Sequence, residues 1–522
     1  MDQVYDNDAY GTANGNVKFT SLANFLKGNV KSAKLLEGNP YQYARGHWSA
    51  VFFQDDYRLS TRVTVNMGLR WEYQGRPFER FNDEATFNPN LPWPVQQVGG
   101  SGMPAVYNPY YKAFSPRFGV AWDVSGNGKT VVRAGASVMR EPELIGDYLG
   151  VSPFGANVPD LGINTSGTQL NLHTQDTYTL QPGSVDWTGD TLEPNATGSV
   201  FPVGQATTVQ LPNGSVVAGL TGTTCLSPSD KVLSGVKPPT CSTQGTNPNF
   251  VQPYVAEWNI DVQHAITNKL TVDLAYVGTH GANEEAWINI NQPPVGAGFN
   301  TPFTAADASL ASLPAAAIGL TSNQFCLQTG TCGVPNPEAE VGSSALCTAC
   351  PFGTKYPFLA YIDQMNNLAL SNYNALQMTL NERPMHGLAF LAAYTYSHAL
   401  DDVSLESSTP SSIDARNLQL NYGPSTFDIT HRFTFSPTYA IPGRKAPAQM
   451  LQGWVVSGIL SLYSGLPWSP QDETDDLLGT AEYLDPWGLG SRPGITPARV
   501  PLSLPGTRLS LAISIPPMAL RL

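Results

Sequence analysis

RVTVNMGLRWEY, residues 62–73, sets Val63, Val65, Met67, Leu69, Trp71 and Tyr73 on one side of an extended chain. Arg62, Thr64, Asn66, Gly68, Arg70 and Glu72 fall on the other. Side chains of a strand alternate faces, so this segment is a strand with one apolar and one polar face. In a soluble sandwich the apolar face would meet a second sheet. In an outer-membrane barrel it would meet lipid, and the polar face would line the lumen.

The same pattern recurs along the chain in segments of about ten residues. They are HWSAVFFQDDYR (47–58), SPRFGVAWD (115–123), KTVVRAGASVM (129–139), YVAEWNIDVQHAI (254–266), KLTVDLAYVGT (269–279), SNYNALQMTLNE (371–382), GLAFLAAYTYSHAL (387–400), FDITHRFTFSPTYA (427–440) and GWVVSGILSLYSG (453–465). With 62–73 they set a minimum of ten strands. Tyr254, Ala256, Trp258, Ile260 and Val262 oppose Glu257, Asn259, Asp261 and Gln263. Phe427, Ile429, Phe433, Phe435 and Tyr439 oppose Asp428, Thr430, Arg432, Thr434, Ser436 and Thr438. Soluble strands average about five or six residues, whereas a tilted bilayer-crossing strand needs roughly nine to eleven. Apart from SLANFLKG (21–28), which predicts a short helix, no long stretch is helically periodic.

The connections alternate. They are short after 58, 123, 266, 382 and 440, and long after 73, 139, 279 and 400. An up-and-down barrel produces this when one rim carries tight turns and the other extended outer loops. Trp71, Tyr73, Trp122, Tyr394, Tyr396, Trp454 and Tyr463 gather near strand ends, as interfacial girdles do; cross-strand aromatic pairing in a soluble sheet is the competing explanation.

Composition narrows the class. Charged residues are 13% of the 522, against roughly 25% in soluble globular chains, and Ser, Thr, Asn, Gln and Gly supply the polarity. Gly 48 and Pro 43 together exceed the usual share of about 12%, which means many turns and loops. A net charge of −13 offers no basic surface to neutralise phosphates, so nucleic acid is excluded as a partner. No window of about 18 apolar residues marks a transmembrane helix. MDQVYDNDAYG at the start has neither the basic nor the apolar region of a signal peptide.

Six cysteines, Cys225, Cys241, Cys326, Cys332, Cys347 and Cys350, all lie in Gly/Ser/Thr/Pro-rich connections. An even count confined to loops suggests disulfides in an oxidising compartment, Cys225 with Cys241 and the other four among themselves. The spacing of Cys326, Cys332, Cys347 and Cys350 is too irregular for a zinc site. No cofactor or metal is expected. GNGKT (126–130) resembles the end of a phosphate loop, but a strand follows it, so it is a hairpin turn with Gly126 and Gly128 supplying backbone freedom. The same turn echoes a calcium loop, yet Ala134 stands where the bidentate Glu belongs. His280, His398 and His431 stand at or near strand ends and are read as structural or interfacial. Asp401 with Asp402, and the acidic run 472–476, are read as solvated loop charge. No G-x-S-x-G, H-E-x-x-H or spaced carboxylate pair nominates a reaction, so an enzyme is not expected.

Six blocks carry a family resemblance. WSAVFFQDDYRLSTRVTVNMGLRWEY, FSPRFGVAWDVSGNGKTVVRAG, PYVAEWNIDVQHAITNKLTVDLAYVGTHG, SNYNALQMTLNERPMHGLAFLAAYTYSHALDD, FDITHRFTFSPTYAIPG and LQGWVVSGILSLYSGLPWSP resemble, in that order, the barrel of Oar-like TonB-dependent receptors. The resemblance implies a 22-stranded antiparallel barrel in the Gram-negative outer membrane. It implies import of a large ligand, such as an oligosaccharide, peptide or chelate, with TonB supplying energy.

The chain is therefore expected to be all-β, a partial up-and-down transmembrane barrel whose long extracellular loops at 140–253 and 280–370, rich in Thr, Asn, Gln and Gly, carry ligand recognition. Residues 1–46 form a lead-in with the short helix, 47–470 the barrel portion, and 471–522 an atypical Pro/Leu/Ser-rich tail without the family's last strands. Expected partners are outer-membrane lipid, an unknown large ligand, and TonB only through a plug and TonB box absent from this chain. A passive porin or adhesin, or a secreted soluble carbohydrate-active protein, are the competing readings.

Overall fold

The computed structural model describes most of residues 41–141 and 241–467, together with 2–8, 16–26, 32–36, 175–178, 206–210, 216–220, 231–234 and 507–508. Its wall is built from β1 (Tyr41–Arg58), β2 (Val63–Gln74), β3 (Ala113–Asp123), β4 (Thr130–Arg140), β5 (Tyr254–Ala265), β6 (Leu270–Asn289), β7 (Leu359–Met385), β8 (Leu388–Asp401), β9 (His431–Ala440), β10 (Val455–Ser457) and β11 (Leu460–Tyr463). Each strand from β1 to β9 pairs antiparallel with its sequence neighbour, and β10 and β11 both pair with β9. Among the described residues this up-and-down meander does not close on itself.

Directly opposed residues in an antiparallel pair share a face, so the register settles which side is which. One row crosses the wall as Trp122, Val132, Val262, Leu274, Met378, Tyr394 and Phe433. The next row along the strands, on the opposite face, runs Thr64, Ala121, Arg133, Asp261, Ala275, Gln377, Thr395 and Arg432. Trp122 is 46% exposed, Leu274 45% and Met378 47%, so the apolar row is uncovered by any second sheet among the described residues. A continuous apolar face of this extent has one compatible neighbour, hydrocarbon.

Tight turns close the periplasmic rim. Between β3 and β4 the Asp123 carboxylate accepts from the backbone N–H of Gly126 (2.8 Å) and Gly128 (3.0 Å), while both glycines take positive φ, 73° and 72°. The aspartate that opens the calcium-like pattern is a turn cap. At the opposite rim β6 and β7 run further than the alternation indicates. The expected segments stop at 279 and start at 371, whereas Glu284–Asn289 pairs with Asp363–Ala369 beyond two register shifts. Alternation disappears there because both faces of this ribbon are covered.

Two other expectations need correction. The segment 427–440 becomes a strand only from His431; ahead of it, Asp428 is buried and pairs with His398 on the outward side of the wall. The segment 453–465 is split into β10 and β11. Tyr463 opposes Arg432 and so belongs to the luminal face, not to an aromatic girdle. The short helix is present at Leu22–Leu26.

Candidate functional site

Two surfaces of the wall carry polar chemistry. The first is a luminal trough. Asn66, Gly119, Gly135 and Asn259 stand opposite one another on β2, β3, β4 and β5, so two glycines lie side by side between two carboxamides. A Cβ on Gly135 would lie 2.9 Å from Asn259 Oδ1, and one on Gly68 2.9 Å from Arg117 Cγ. Glycine is what leaves this floor low. The trough encloses about 490 Å³, and Gln54, Arg117, Ser137, Glu257 and Thr279 line it with the asparagines. One row nearer the periplasm, Arg133 reaches Asp261 at 3.3 Å and donates to Gln263 Oε1 at 3.3 Å. Amides, hydroxyls and a guanidinium on a flat floor suit a polypeptide backbone or a sugar. Among the described residues no group of three metal-binding side chains converges.

The second surface is an outer cap, where connections expected to be open loops pack into one body. Ala44, Val98, Val106, Tyr107, Phe250, Trp287 and Met365 form a buried cluster on one face of the β6–β7 ribbon. Ala286, Ile288, Ala369, Ala415 and Leu418 bury the other face. The strand Cys241–Thr246 pairs with β7 in parallel. Its Gly245 lies against Phe87, whose carbonyl oxygen would be 2.8 Å from an added Cβ. Phe87 is fully buried between Phe352 and Tyr356, with centroids at 5.6 and 6.0 Å. Lys355 Nζ donates to the carbonyl of Pro89 (3.1 Å). Three connections, after β2, β4 and β6, are thereby joined.

Within the third connection, Thr304 with Asp307 and Thr321 with Gln324 form capping boxes that start the helices Ala305–Leu310 and Ser322–Thr329. Phe303, Ala317 and Phe325 form the small core beneath them. Cys347 and Cys350 are joined in a disulfide, and Cys326 is disulfide-bonded too. Cys225, Cys332 and the Cys241 side chain lie outside the described residues, as do 472–476 and nearly all of 471–522. Asn291 donates to the carbonyl of Ala360 (2.6 Å) and accepts from Phe352 N–H (2.9 Å), clasping the disulfide loop to β7.

Asp401 and Asp402 are not solvated: they are 7% and 2% exposed at the base of the cap. Ser404 donates to Asp401 (2.6 Å), and the Leu370 N–H to Asp402 (2.8 Å). Burial raises the Asp402 pKa, with Asp401 adding to the rise and the Leu370 N–H opposing it. Glu284, on the ribbon outside the membrane-spanning part of β6, is raised chiefly by burial and further by Glu141, Asp402 and Asp401. The Ser371 hydroxyl pulls it down.

Nine wall strands of membrane-crossing length among the described residues, an uncovered apolar face and a polar lumen agree with the family comparison. The model of the outer membrane beta barrel domain matches residues 1–503. The chain belongs to the outer membrane β-barrel family. Its place is the outer membrane of a Gram-negative cell, and the question of what residues 62–73 touch has its answer in lipid. No curated protein sequence matches the barrel. Solved structures similar to it include the alcaligin outer membrane receptor FauA from Bordetella pertussis, at 9% identity and TM-score 0.31, covering 83% of this chain and 41% of that one. The outer membrane transporter YddB from Escherichia coli is similar at 8% identity and TM-score 0.32, covering 86% and 41%. The ferripyoverdine receptor of Pseudomonas aeruginosa, bound to ferripyoverdine, is similar at 9% identity and TM-score 0.26, covering 86% and 41%. The barrel chain thus spans about two fifths of the length of these receptors.

Sequence reasoning placed the wall and pointed to the long connections for recognition, but missed the trough and the packing that joins those connections into a cap. The trough had a faint signal, a glycine or asparagine on the polar face of each of VNMGL, RFGVA, RAGAS and EWNID. The cap had none, because Phe87, Tyr107, Phe250, Trp287 and Met365 come from four separate stretches of the chain.

Proposed function

We propose that the barrel is the import wall of an Oar-like TonB-dependent receptor. Its support is the joint placement of a glycine-floored polar trough on the luminal face and a packed cap above the same wall. The cap recognises a large polar ligand, an oligosaccharide, peptide or chelate. A plug domain seats in the lumen, its backbone against the floor at Gly119 and Gly135. TonB withdraws the plug and the ligand passes inward. No bond is made or broken in the ligand, and the barrel is a transporter rather than an enzyme.

The receptor reading assigns 47–470 to the barrel, 1–46 to the lead-in and 471–522 to a tail outside it. Cys225 bridges to Cys241, fastening the second connection beside β7. Loss of this chain and loss of TonB are expected to abolish uptake of the same compounds from a mixture of labelled oligosaccharides, peptides and metal chelates. Uptake that needs this chain but survives loss of TonB would make the barrel a passive porin.

A further inference from the structure

The outward face is not uniform where it leaves the hydrocarbon. From Leu270 to His280 along β6, at about 3.3 Å per residue, is roughly 33 Å of strand, or about 25 Å of height at a tilt near 40°. That is about the thickness of the apolar band, so His280 and its neighbours stand level with the outer-leaflet headgroups. At the matching distance above their own turns, β2 and β3 present Trp71, Tyr73 and Phe114. There Trp71 Nε1 donates to the carbonyl of Tyr111, and the Tyr73 ring stacks on the Tyr111 ring at 5.1 Å. That sector is an ordinary aromatic belt.

On β6, β7 and β8 the belt gives way to amides and imidazoles. Asn374 lies between Gly278 and His398 in register, and Asn372 between His280 and Leu400. Tyr276 Oη donates to Asn374 Oδ1 (2.7 Å), and His280 Nδ1 lies 2.8 Å from Asn372 Oδ1. Asn372 Nδ2 in turn donates to Tyr422 Oη (2.9 Å). The Trp258 ring lies across Gly278, where a Cβ would meet it at 2.4 Å, so a flat indole borders the amides. Asp428, the acid of this sector, is buried and paired with His398 at 2.8 Å.

We propose that this sector binds the saccharide headgroup of an outer-leaflet glycolipid. Carboxamides, imidazoles and a phenol offer donors and acceptors at fixed spacing, which hydroxyl-rich rings satisfy, and the indole offers an apolar face to a sugar ring. Neither Lys nor Arg stands among the outward residues of β6, β7 and β8 above Leu274, so a bare phosphate has nothing to pair with. Leu376 and Met378 continue the same face toward the periplasm. A molecule held by its sugars at Asn374 therefore lays its acyl chains on that band, which favours a glycolipid over a free oligosaccharide. Import plays no part in the inference; it needs only the membrane placement of the wall.

The test is native mass spectrometry of the full chain in detergent micelles, with purified lipopolysaccharide, phosphatidylethanolamine and the soluble core oligosaccharide as probes. The wild-type chain is expected to hold lipopolysaccharide at least tenfold more tightly than phosphatidylethanolamine, and the free oligosaccharide weakly. The double variant Asn374→Leu, His280→Leu is expected to lose that preference, while Val138→Ala on β4 keeps it. Equal retention of the two lipids by the wild type overturns the proposal without need of any variant. So does an equal loss in Val138→Ala, or tight binding of the soluble oligosaccharide.

Discussion

Adjacent residues on β6 separate lipid from lumen by a single step of the chain. Leu274 is outward, between Val262 and Met378, and Ala275 is luminal, between Asp261 and Gln377. Leu274 stands four residues above the turn at Leu270, which is about 13 Å of strand and roughly 10 Å of height at the usual tilt. That is close to the midplane of an apolar band about 25 Å tall. Leu274→Arg is therefore expected to destabilise the folded barrel by about 2–4 kcal/mol, the cost of an arginine on the lipid face at that depth. Ala275→Arg places the same guanidinium beside the Asp261 carboxylate in a wet lumen and is expected to cost less than about 1 kcal/mol. The difference amounts to roughly a hundredfold in the folding equilibrium. Denaturant titration of each variant in phospholipid vesicles, read by heat-modifiable migration, measures it. An Ala275→Arg cost equal to or above that of Leu274→Arg would refute the assignment of faces, and the transport reading with it.

Four further outcomes follow from the cap and the trough. Phe87→Ala, which empties a fully buried aromatic site between Phe352 and Tyr356, is expected to cost the cap about 3–5 kcal/mol. Hydrogen exchange should show the loss in 241–246 and 359–365 while the spanning strands keep their protection. Cys347→Ser opens a small loop and should cost about 2 kcal/mol or less, seen as faster proteolysis near 350. Glu284 and Asp402 have carboxyl groups raised by burial, so the folded cap holds protons that the unfolded chain releases. Their contribution to stability is complete below the ordinary carboxylate range near about 4 and is lost as pH rises through the raised values. Urea titrations between pH 4 and 8 should show the cap weakening upward, and Asp402→Asn should flatten that slope. Under the import function proposed above, Gly135→Leu is expected to fill the trough and lower uptake at least tenfold while the barrel still folds; unchanged uptake would remove the trough from the transport path.

The strands, their faces and the compartment were legible in the sequence because a membrane wall is a local problem. Each strand must turn one side to hydrocarbon, and that demand writes a period of two into every segment without reference to any other. The turn at Asp123–Gly128 was legible for the same reason, since its hydrogen bonds stay within six residues. The ribbon beyond Ala282 was not, because Trp287 and Ile288 are covered on opposite faces and so lose the alternation. Asp401 and Asp402 looked solvated because burial beneath a cap is decided by chain far away in sequence. The row Asn66, Gly119, Gly135 and Asn259 existed in sequence only as four unrelated small polar residues. Register brought it together, and register depends on how neighbouring strands pair. Pattern determined that this chain lies in a membrane and which side of each strand is wet; only pairing and packing decided what the wet side holds and which connections close over it.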